Sequence, residues 1–276
     1  MNKIDVIALG EILIDFTSVG VSEVGQPIYE ANPGGAPANV AAAIAKLGGR
    51  SAFIGTTGND SFGSLLQKTL SNCGVITSGM TVSKNTHTTL AFVTLSDDGE
   101  RSFSFCRNPG ADTQLAITDL DMELLQNTKI LHVGSLSLTH EPSRCSTLKA
   151  IEVVKAMGGY ISYDPNWRSS LWQDEETGTK AMKSLLPYAD IVKISESELS
   201  LFMNTVYQSD TIQEEALISG AEWITSFGPR LVLITLGSKG VFYYRVTSSG
   251  KKEKGLISVP KVSVVDTTGA GDSFTG

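Results

Sequence analysis

The segment GGAPANVAAAIAKLGGRSAFIG, residues 34 to 55, joins a helix pattern directly to a strand pattern. Val40, Ile44 and Leu47 recur at the spacing of one helical face, and the alanines around them permit close packing. The glycine pair that follows predicts the end of the helix, and the apolar run SAFIG predicts a buried strand. A helix that leads into a buried strand is part of the repeating unit of an α/β fold.

The same alternation continues on both sides of this segment. Apolar runs of strand length are separated by segments of helical length, and they occur at IDVIAL (4–9), KILHVG (129–134), YISYD (160–164), ADIVKIS (189–195) and RLVLITLG (230–237). Strands that alternate with helices predict a mostly parallel sheet covered on both faces. In such sheets, ligands bind beyond the carboxyl ends of the strands.

One region interrupts the alternation. The run TTLAFVTLSDDGERSFSFCRN, residues 88 to 108, predicts a hairpin because Asp98-Gly99 favours a tight turn between two β-rich segments. The segment from Ile12 to Glu30 is short of helix formers and predicts further strands. We interpret the two regions together as a small sheet, which is either a lid over the active site or an ordinary hairpin at the edge of the main sheet.

These patterns divide the chain into two parts. Residues 1–11, 31–87 and 111–276 are predicted to form the α/β core, and residues 12–30 and 88–110 the lid. An apolar lid face formed by Phe92 with Phe103 or Phe105 would suit contact with a second copy of the chain. A homodimer through the lid is therefore one of our expectations.

The composition argues against several classes of protein. The chain has 276 residues, a net charge of −7 and a pI of about 5.0, whereas a nucleic-acid-binding surface has to be basic. No apolar stretch approaches membrane-spanning length. Neither disulfide nor metal-ligand spacing is present among the cysteines and histidines, which are Cys73, Cys106, Cys145, His87, His132 and His140. We expect a soluble cytoplasmic protein with reduced thiols.

The last residues, VVDTTGAGDSFTG (264–276), form the most unusual loop of the sequence. A bend through Gly269, Ala270 and Gly271 can turn successive backbone N–H groups to one side and bind an anion at the start of a helix. The lysine of a Walker loop is missing. Asp272 is either a base that accepts a proton from an attacking hydroxyl or a helix cap. The helix N-terminus predicts that its carboxylate is ionised.

Three motifs resemble the signatures of the ribokinase-like (PfkB) carbohydrate kinases. DTTGAGD (266–272) resembles their C-terminal signature, PGGAPANVAAAIAKLGG (33–49) their N-terminal glycine-rich signature, and GTTGNDSFG (55–63) its usual sequel. Within the family the chain is most similar to fructokinases, through LIDF, NPGGAPANVA, FCRNPGAD, YDPNWRSSLW and TLGSKG. The resemblance covers essentially the whole chain. It implies a ribokinase-like three-layer α/β/α core with a mostly parallel sheet, plus a small β-sheet lid.

The resemblance implies roles for the C-terminal loop and for a sugar site. Asp272 would be the catalytic base, and the backbone N–H groups of Gly269, Ala270 and Gly271 would form the anion hole for the migrating phosphoryl group. The sugar-binding residues would be Asp15, Gly34, Gly35, Asn39, Arg107, Asp164 and Asn166. Each of these also has a plain structural explanation, such as a strand end, a helix-entry turn, an exposed edge arginine or an Asp-Pro turn.

A nucleotide site is implied as well. The contacts with ATP would come from Lys193, Ser195, Glu198, Thr235, Gly237 and Gly240. The family usually has an N-x-x-E motif that organises Mg²⁺ through water, and KISESE has Ser195 in the place of the asparagine. The shorter serine would make a weaker or water-bridged contact, and the alternative for Glu198 is a solvated helix face. Asp266 and Thr268 would offer carbonyl oxygens to K⁺.

The expected function is that of an ATP-dependent fructokinase, which converts D-fructose to fructose 6-phosphate. The alternatives are a kinase of ribose, aminoimidazole riboside or 2-keto-3-deoxygluconate, and a catalytically silent relative that binds sugar or protein. A nicotinamide dehydrogenase is disfavoured because the early GxGxxG fingerprint is missing. Family members continue beyond GAGDSF, so we expect this sequence to be a fragment. A chain that ended there would leave the helix after the loop unformed.

Overall fold

The computed structural model describes residues 3–95, 101–205, 214–264 and 267–276. Its strands are β1 (Ile4–Leu9), β2 (Leu13–Val21), β3 (Pro27–Gly34), β4 (Ser51–Gly58), β5 (Met80–Ser83), β6 (Leu90–Leu95), β7 (Arg101–Cys106), β8 (Thr128–Gly134), β9 (Tyr160–Asp164), β10 (Ile191–Ser195), β11 (Leu231–Thr235), β12 (Val241–Val246) and β13 (Lys252–Ile257). Its helices are α1 (Ala36–Lys46), α2 (Ser61–Asn72), α3 (Met122–Gln126), α4 (Ser143–Ala156), α5 (Glu175–Lys183), α6 (Glu196–Met203), α7 (Glu214–Thr225) and α8 (Ala270–Thr275). None of these helices is both long and apolar enough to cross a membrane.

Within the described residues, nine strands form one large sheet in the order β13-β12-β11-β10-β9-β8-β1-β4-β5. The pairs from β11 to β5 are parallel, and β12 and β13 extend the sheet with antiparallel pairs. All five apolar runs quoted for the alternation fall on strands of this sheet. The predicted fold class, an α/β core with a mostly parallel sheet and a small second sheet, is confirmed.

The central strands are covered on both faces, as their continuous apolar runs predict. Ile7 and Leu9 of β1 belong to one core cluster, and Ala8 between them belongs to a second cluster with residues of α1 and α2. Val40 and Ile44 of α1 are buried, but Leu47 is 79% exposed. The prediction that Leu47 belongs to the buried face is wrong because it lies beyond the last helical residue, where the helical periodicity ends.

A second sheet has the order β3-β2-β6-β7 in the described part of the chain. Strand β2 pairs antiparallel with β3 and parallel with β6, and β6 pairs antiparallel with β7. Strand β3 continues to Gly34, past the predicted lid limit at residue 30. The division of the chain into core and lid therefore stays a proposal. The predicted Asp98-Gly99 turn lies outside the described residues.

The two faces of the small sheet present different aromatic residues. The register across β2, β6 and β7 places Asp15 and Phe105 on one face. Phe92 lies on the other face, where its ring stacks on that of Phe16 with centroids 5.1 Å apart. A single apolar face with both Phe92 and Phe105 is therefore a wrong prediction, since neighbouring strand positions point to opposite faces. The side chain of Phe103 lies outside the described part.

The last helix lies against the first. Residues Ala270–Thr275 form α8, and a Cβ added to Gly276 would lie 2.7 Å from Cβ of Ala43 in α1. The expectation that this helix would be left unformed is wrong for the described residues, because packing on α1 supports a helix too short to be stable alone. The contact places the loop before α8 beside the N-terminal half of α1.

Candidate active site

A cavity of about 410 Å³ opens at the carboxyl ends of the parallel strands, beside the small sheet. The predicted site residues that line it are Asp15, Gly35, Asn39, Asn166, Lys193, Ser195, Glu198, Thr268, Gly269, Gly271 and Asp272. Gly34 lines a neighbouring cavity of about 750 Å³, which shares Asp15, Asn39 and Gly269 with the first. The fold thus brings the sugar and phosphate residues of the sequence prediction into one region.

Asp272 lies in this cavity with both carboxylate oxygens near side-chain amides. Its Oδ2 accepts a hydrogen bond from Nδ2 of Asn39 at 2.8 Å, and its Oδ1 accepts one from Nδ2 of Asn166 at 3.4 Å. Burial raises the pKa of Asp272, and the hydrogen bond from Asn39 and the charges of Lys193 and Arg168 oppose this effect only in part. Burial therefore acts against the ionisation that the helix N-terminus predicts.

Asp272 is not the cap of the helix that contains it. Gly269, with a φ of 70°, is the N-cap residue of α8, and no side chain of the described residues caps this end. The carboxylate of Asp272 instead contacts amide groups of α1 and of the loop after β9. Of the two roles that the sequence left open, this geometry does not support the helix cap.

The loop before Asp272 offers fewer free backbone donors than predicted. The N–H of Ala270 donates to the carbonyl of Thr267 at 3.2 Å and is therefore already used. The N–H groups of Gly269 and Gly271 have no acceptor among the described residues, and both glycines line the cavity. The predicted anion hole is thus reduced from three donors to two, because the turn into α8 uses the third.

Lys193 and Asp164 form a buried ion pair next to this loop. Nζ of Lys193 lies 2.9 Å from Oδ2 of Asp164, and their side chains are 9% and 3% exposed. Burial lowers the pKa of Lys193, but the charges of Asp164, Glu198 and Asp272 more than offset it, so that the pKa is raised and the ammonium is retained. Lys193 lines the cavity and Asp164 does not. The predicted sugar contact of Asp164 is therefore not what this structure shows.

Ser195 and Glu198 form a capping box at the start of α6. Glu198 accepts hydrogen bonds from the backbone N–H and the hydroxyl of Ser195 at 2.8 and 2.7 Å, and from the N–H of Trp167 at 2.7 Å. Glu198 is 7% exposed, so the solvated helix face is a wrong alternative. The described residues contain no cluster of three or more metal-ligating side chains. The carboxylate of Glu198 fits a Mg²⁺ ion that keeps its waters and is held mainly by nucleotide phosphates.

Asp15 and the two glycines before α1 form the side of the cavity next to the small sheet. A Cβ on Gly34 would contact Oδ2 of Asp15, and one on Gly35, which has a φ of 106°, would lie 2.5 Å from the carbonyl oxygen of Glu11. Side chains at both positions are therefore excluded. Burial raises the pKa of Asp15 to about 6, against the opposing charge of Arg168.

Arg107 is placed differently from either prediction made for it. It is 4% exposed rather than exposed at an edge, and it does not line the cavity. Its guanidinium lies 2.7 Å from Asp112 and donates to the hydroxyl of Thr139 at 2.8 Å and to the carbonyl of Leu136 at 3.0 Å. Since Leu136 lines the cavity, Arg107 holds a residue of the cavity wall in place and does not reach over a ligand.

The predicted nucleotide residues Thr235, Gly237 and Gly240, at and after the end of β11, do not line the cavity. Thr235 pairs with Ser195 across β10 and β11, which puts it at the same edge of the sheet. Gly237 and Gly240 have φ angles of 56° and 107°, and a Cβ on Gly240 would collide with the carbonyl of Ile257. Asp266, one of the two predicted K⁺ ligands, lies outside the described residues.

Sequence reasoning missed two charged residues of this cavity. Arg168 lines it, and its charge acts on both Asp15 and Asp272. Its position in the DPNWR motif was the available signal. Glu11 also lines it and accepts a hydrogen bond at 3.2 Å from the N–H of Ala36, while its Oε2 is buried without a partner among the described residues. The sequence signal for Glu11 was a charged residue that interrupts an apolar run.

The chain is similar to a described protein family and to several named relatives. The family described as pfkB family carbohydrate kinase matches residues 3–276. Fructokinase-2 of Solanum habrochaites is 45% identical over 273 residues, which are 98% of this chain and 79% of the relative. Probable fructokinase-4 of Arabidopsis thaliana is 43% identical over 98% of this chain and 80% of its own.

Two solved structures of fructokinases are also similar to this chain. The structure of fructokinase with bound ATP from Xylella fastidiosa has a TM-score of 0.84 and 32% identity, over 98% of this chain and 78% of that one. A fructokinase double mutant from Vibrio cholerae O395, in a form with bound fructose, ADP and potassium ion, has a TM-score of 0.83 and 36% identity, over 99% of this chain and 82% of that one. The similarity therefore covers the large sheet and the smaller sheet.

Proposed function

Because the chain belongs to the pfkB family of carbohydrate kinases, we propose that it transfers the terminal phosphoryl group of ATP to D-fructose and releases fructose 6-phosphate and ADP. The observation that carries this proposal is the position of Asp272, whose carboxylate shares one cavity with Asp15 and with Gly269 and Gly271, whose N–H groups have no acceptor among the described residues. A base, a carboxylate for hydroxyl groups and donors for an anion are what phosphoryl transfer to a sugar requires. The choice of fructose is supported by the relatives named fructokinase.

The sugar is assigned to the side of the cavity formed by β2 and α1. Asp15 accepts hydrogen bonds from sugar hydroxyls, the amides of Asn39 and Asn166 donate and accept, and the glycines at 34 and 35 leave room for the ring. Arg107 acts only indirectly in this assignment, by fixing the Leu136 carbonyl.

Asp272 carries the acid–base chemistry. Its carboxylate accepts the proton of the 6-hydroxyl as that oxygen attacks the terminal phosphorus of ATP, and the bond from this phosphorus to the bridging oxygen of ADP breaks. The N–H groups of Gly269 and Gly271 donate to the phosphoryl oxygens as their charge grows. Burial of Asp272 makes its carboxylate a better proton acceptor, because the raised pKa strengthens the base.

The nucleotide is assigned to Lys193, Ser195, Thr235, Gly237 and Gly240, at the ends of β10 and β11. Mg²⁺ bound with ATP supplies positive charge to the phosphates, and Glu198 would hold one of its waters. Asp266 and Thr268 are proposed as carbonyl ligands of K⁺, an ion named with the Vibrio cholerae relative.

The surroundings of the site extend the proposal. The small sheet acts as a lid over the sugar, and its exposed Val19, Val21 and Ile28 are available for contact with a second copy of the chain. A cytoplasmic location is supported by Cys73 and the other two cysteines, which form no disulfide in the described part.

A coupled assay of ADP release across ketoses, aldoses and ribosides tests the function. We expect kcat/KM for fructose to exceed that for every other sugar by about tenfold or more. A preference for ribose, aminoimidazole riboside or 2-keto-3-deoxygluconate would keep the kinase and replace the substrate. A lack of ADP release with every sugar, in the presence of Mg²⁺ and K⁺, would overturn the proposal in favour of a silent binding protein.

A further inference from the structure

The Asp164–Lys193 pair lies across two adjacent parallel strands at their carboxyl ends. Asp164 is the last residue of β9, and Lys193 is in β10, whose residues 191 and 192 pair with residues 162 and 163 of β9. This register puts the two side chains on the same face of the sheet. The resulting contact of 2.9 Å joins two residues that are almost completely buried.

Lys193 reaches from this pair to the phosphate-binding loop. Its Nζ lies 3.0 Å from the position that a Cβ on Gly271 would take, and the side chain lines the cavity. The absence of a side chain at Gly271 thus lets the ammonium approach a loop in which the N–H groups of Gly269 and Gly271 have no acceptor in the described part of the chain. The position is also fixed, because an ammonium held by a buried carboxylate has little freedom to move.

The negative charges of the site explain why a fixed cation is needed to bind a triphosphate there. Three carboxylates, those of Asp164, Glu198 and Asp272, act on Lys193, and Asp272 and Glu198 line the cavity. A nucleotide triphosphate that enters this region meets negative charge in a poorly solvated place, where charges interact strongly. Two neutral N–H groups do not balance the negative charge of the carboxylates and the triphosphate. Arg168, the other basic residue of the wall, acts on both Asp15 and Asp272, while Nζ of Lys193 lies next to Gly271 in the loop itself.

We propose that Lys193 supplies the fixed positive charge of the anion hole, and that Asp164 is the positioning residue that holds its ammonium beneath Gly271. This inference rests on the proposed function and refines it. It moves Asp164 from the sugar site to the support of the phosphate site, and it makes Lys193 part of the transition-state stabilisation as well as of nucleotide binding.

Three variants of the full chain test the inference. Lys193→Met removes the charge, Asp164→Asn removes its anchor with little change of shape, and the double variant removes both. The double variant also guards against misfolding, since it leaves no unpaired buried charge. The matched control is Asp190→Asn, which breaks the Lys155–Asp190 ion pair of 3.0 Å at the opposite edge of the same sheet.

We expect Lys193→Met to lower kcat by about 10²- to 10³-fold, as loss of an anion-hole donor does, and Asp164→Asn to lower it by about 10-fold or more. The KM for fructose should change less than about threefold in both. The kcat of the double variant should lie close to that of Lys193→Met, because residues that act as one unit are not additive. Asp190→Asn should leave kcat unchanged.

Three kinetic results would overturn the inference. The first is a raised KM for fructose with unchanged kcat in Asp164→Asn, which would return Asp164 to the sugar site. The second is an additive loss in the double variant, and the third is unchanged kcat in Lys193→Met.

A calorimetric titration with Mg²⁺–ATP and no sugar separates this inference from the proposed function. Affinity should fall about tenfold in Lys193→Met and in Asp164→Asn and stay unchanged in Asp190→Asn. If the wild type binds ATP but phosphorylates no sugar, the function fails, and these affinities still decide the role of the pair. Equal affinities in all four proteins would refute it.

Discussion

The side-chain amide of Asn39 donates a hydrogen bond of 2.8 Å to Oδ2 of Asp272, a residue 233 positions further along the chain. This contact joins the first turn of α1 to the first turn of α8, which pack against each other. The proposed base and a residue predicted to bind sugar are therefore parts of one hydrogen-bonded unit. The orientation of Asp272 depends on a helix formed near the other end of the sequence.

Asn39→Ala should shift the pH dependence of turnover. The hydrogen bond from Asn39 lowers the pKa of Asp272, so its loss should raise that pKa further. Because Asp272 acts in its ionised form, the acidic limb of the kcat profile should move to higher pH, and kcat at neutral pH should fall about tenfold. Profiles of kcat from pH 5 to 9 measure this. Asn127→Ala, which removes a distant amide that donates to the carbonyl of Glu123, is the control. Superimposable profiles would contradict the assigned contact.

Asp272→Asn should separate binding from chemistry. We expect kcat to fall by about 10³-fold or more while the Kd for fructose changes less than about threefold, because the amide keeps the shape but cannot accept the proton. Steady-state kinetics and calorimetry provide the two numbers. Asp174→Asn, at the N-cap of α5, is the matched control for a helix-capping aspartate and should leave kcat unchanged. Turnover near the wild-type level in Asp272→Asn would exclude it as the base.

The affinity for fructose should weaken in acid. The pKa of Asp15 is raised from 3.8 to about 6, so its carboxylate is ionised at neutral pH and becomes protonated as the pH falls through that value. A protonated carboxyl accepts fewer hydrogen bonds, and the KM for fructose should be about tenfold higher at pH 5 than at pH 7.5. An Asp15→Asn variant should have a high KM without this pH dependence. A KM for fructose that is constant across the range in the wild type would rule out Asp15 as a ligand in its ionised form.

Glu11→Gln should stabilise the protein at alkaline pH. Burial raises the pKa of Glu11 from 4.5 to about 7. Between these two pH values the carboxyl is neutral in the folded state and ionised in the unfolded state. Its contribution to stability is therefore complete below pH 4.5 and is lost as the pH rises to about 7. At pH 8 the glutamine variant should gain about 1–3 kcal/mol in free energy of unfolding, and at pH 4.5 almost nothing. Urea unfolding at both pH values measures the difference, and an equal effect at both would contradict the buried neutral carboxyl.

Gly178→Ala should disturb the active site from a distance. A Cβ on Gly178 in α5 would overlap the ring of Trp167, which stacks on Trp172 and lies between Asn166 and Arg168 in the chain. We expect a loss of about 1–3 kcal/mol in stability from overpacking, and a lower kcat/KM because the loop shifts. Thermal unfolding and steady-state kinetics test both effects. Thr179→Ala, one position further in the same helix, is the control. Unchanged values for Gly178→Ala would show that the tryptophan pair does not fix the loop.

Local patterns were sufficient to predict the architecture, and they indicated the loop that we propose binds phosphate. The alternation of strand and helix runs predicted the parallel sheet because periodicity and continuous apolar runs report burial directly. The glycines at 269 and 271 predicted a backbone anion site for a similar reason, since a residue without a side chain leaves N–H groups accessible. Asp272 followed from its place beside them, although the direction of its pKa shift did not, because desolvation depends on the atoms packed around it.

Local sequence patterns did not predict the contacts between distant parts of the chain. Three features follow from strand register and from the packing of α1, α8 and the small sheet on the main sheet. They are the burial of Arg107 on Asp112 and Leu136, the pairing of Asp164 with Lys193 and the separation of Phe92 from Phe105. Residue type and spacing indicate which side chains can bind sugar or phosphate. Whether such a side chain faces the cavity or an oppositely charged neighbour is decided by the register of its strand and the residues on adjacent strands, because side chains alternate between faces and a buried charge requires a partner.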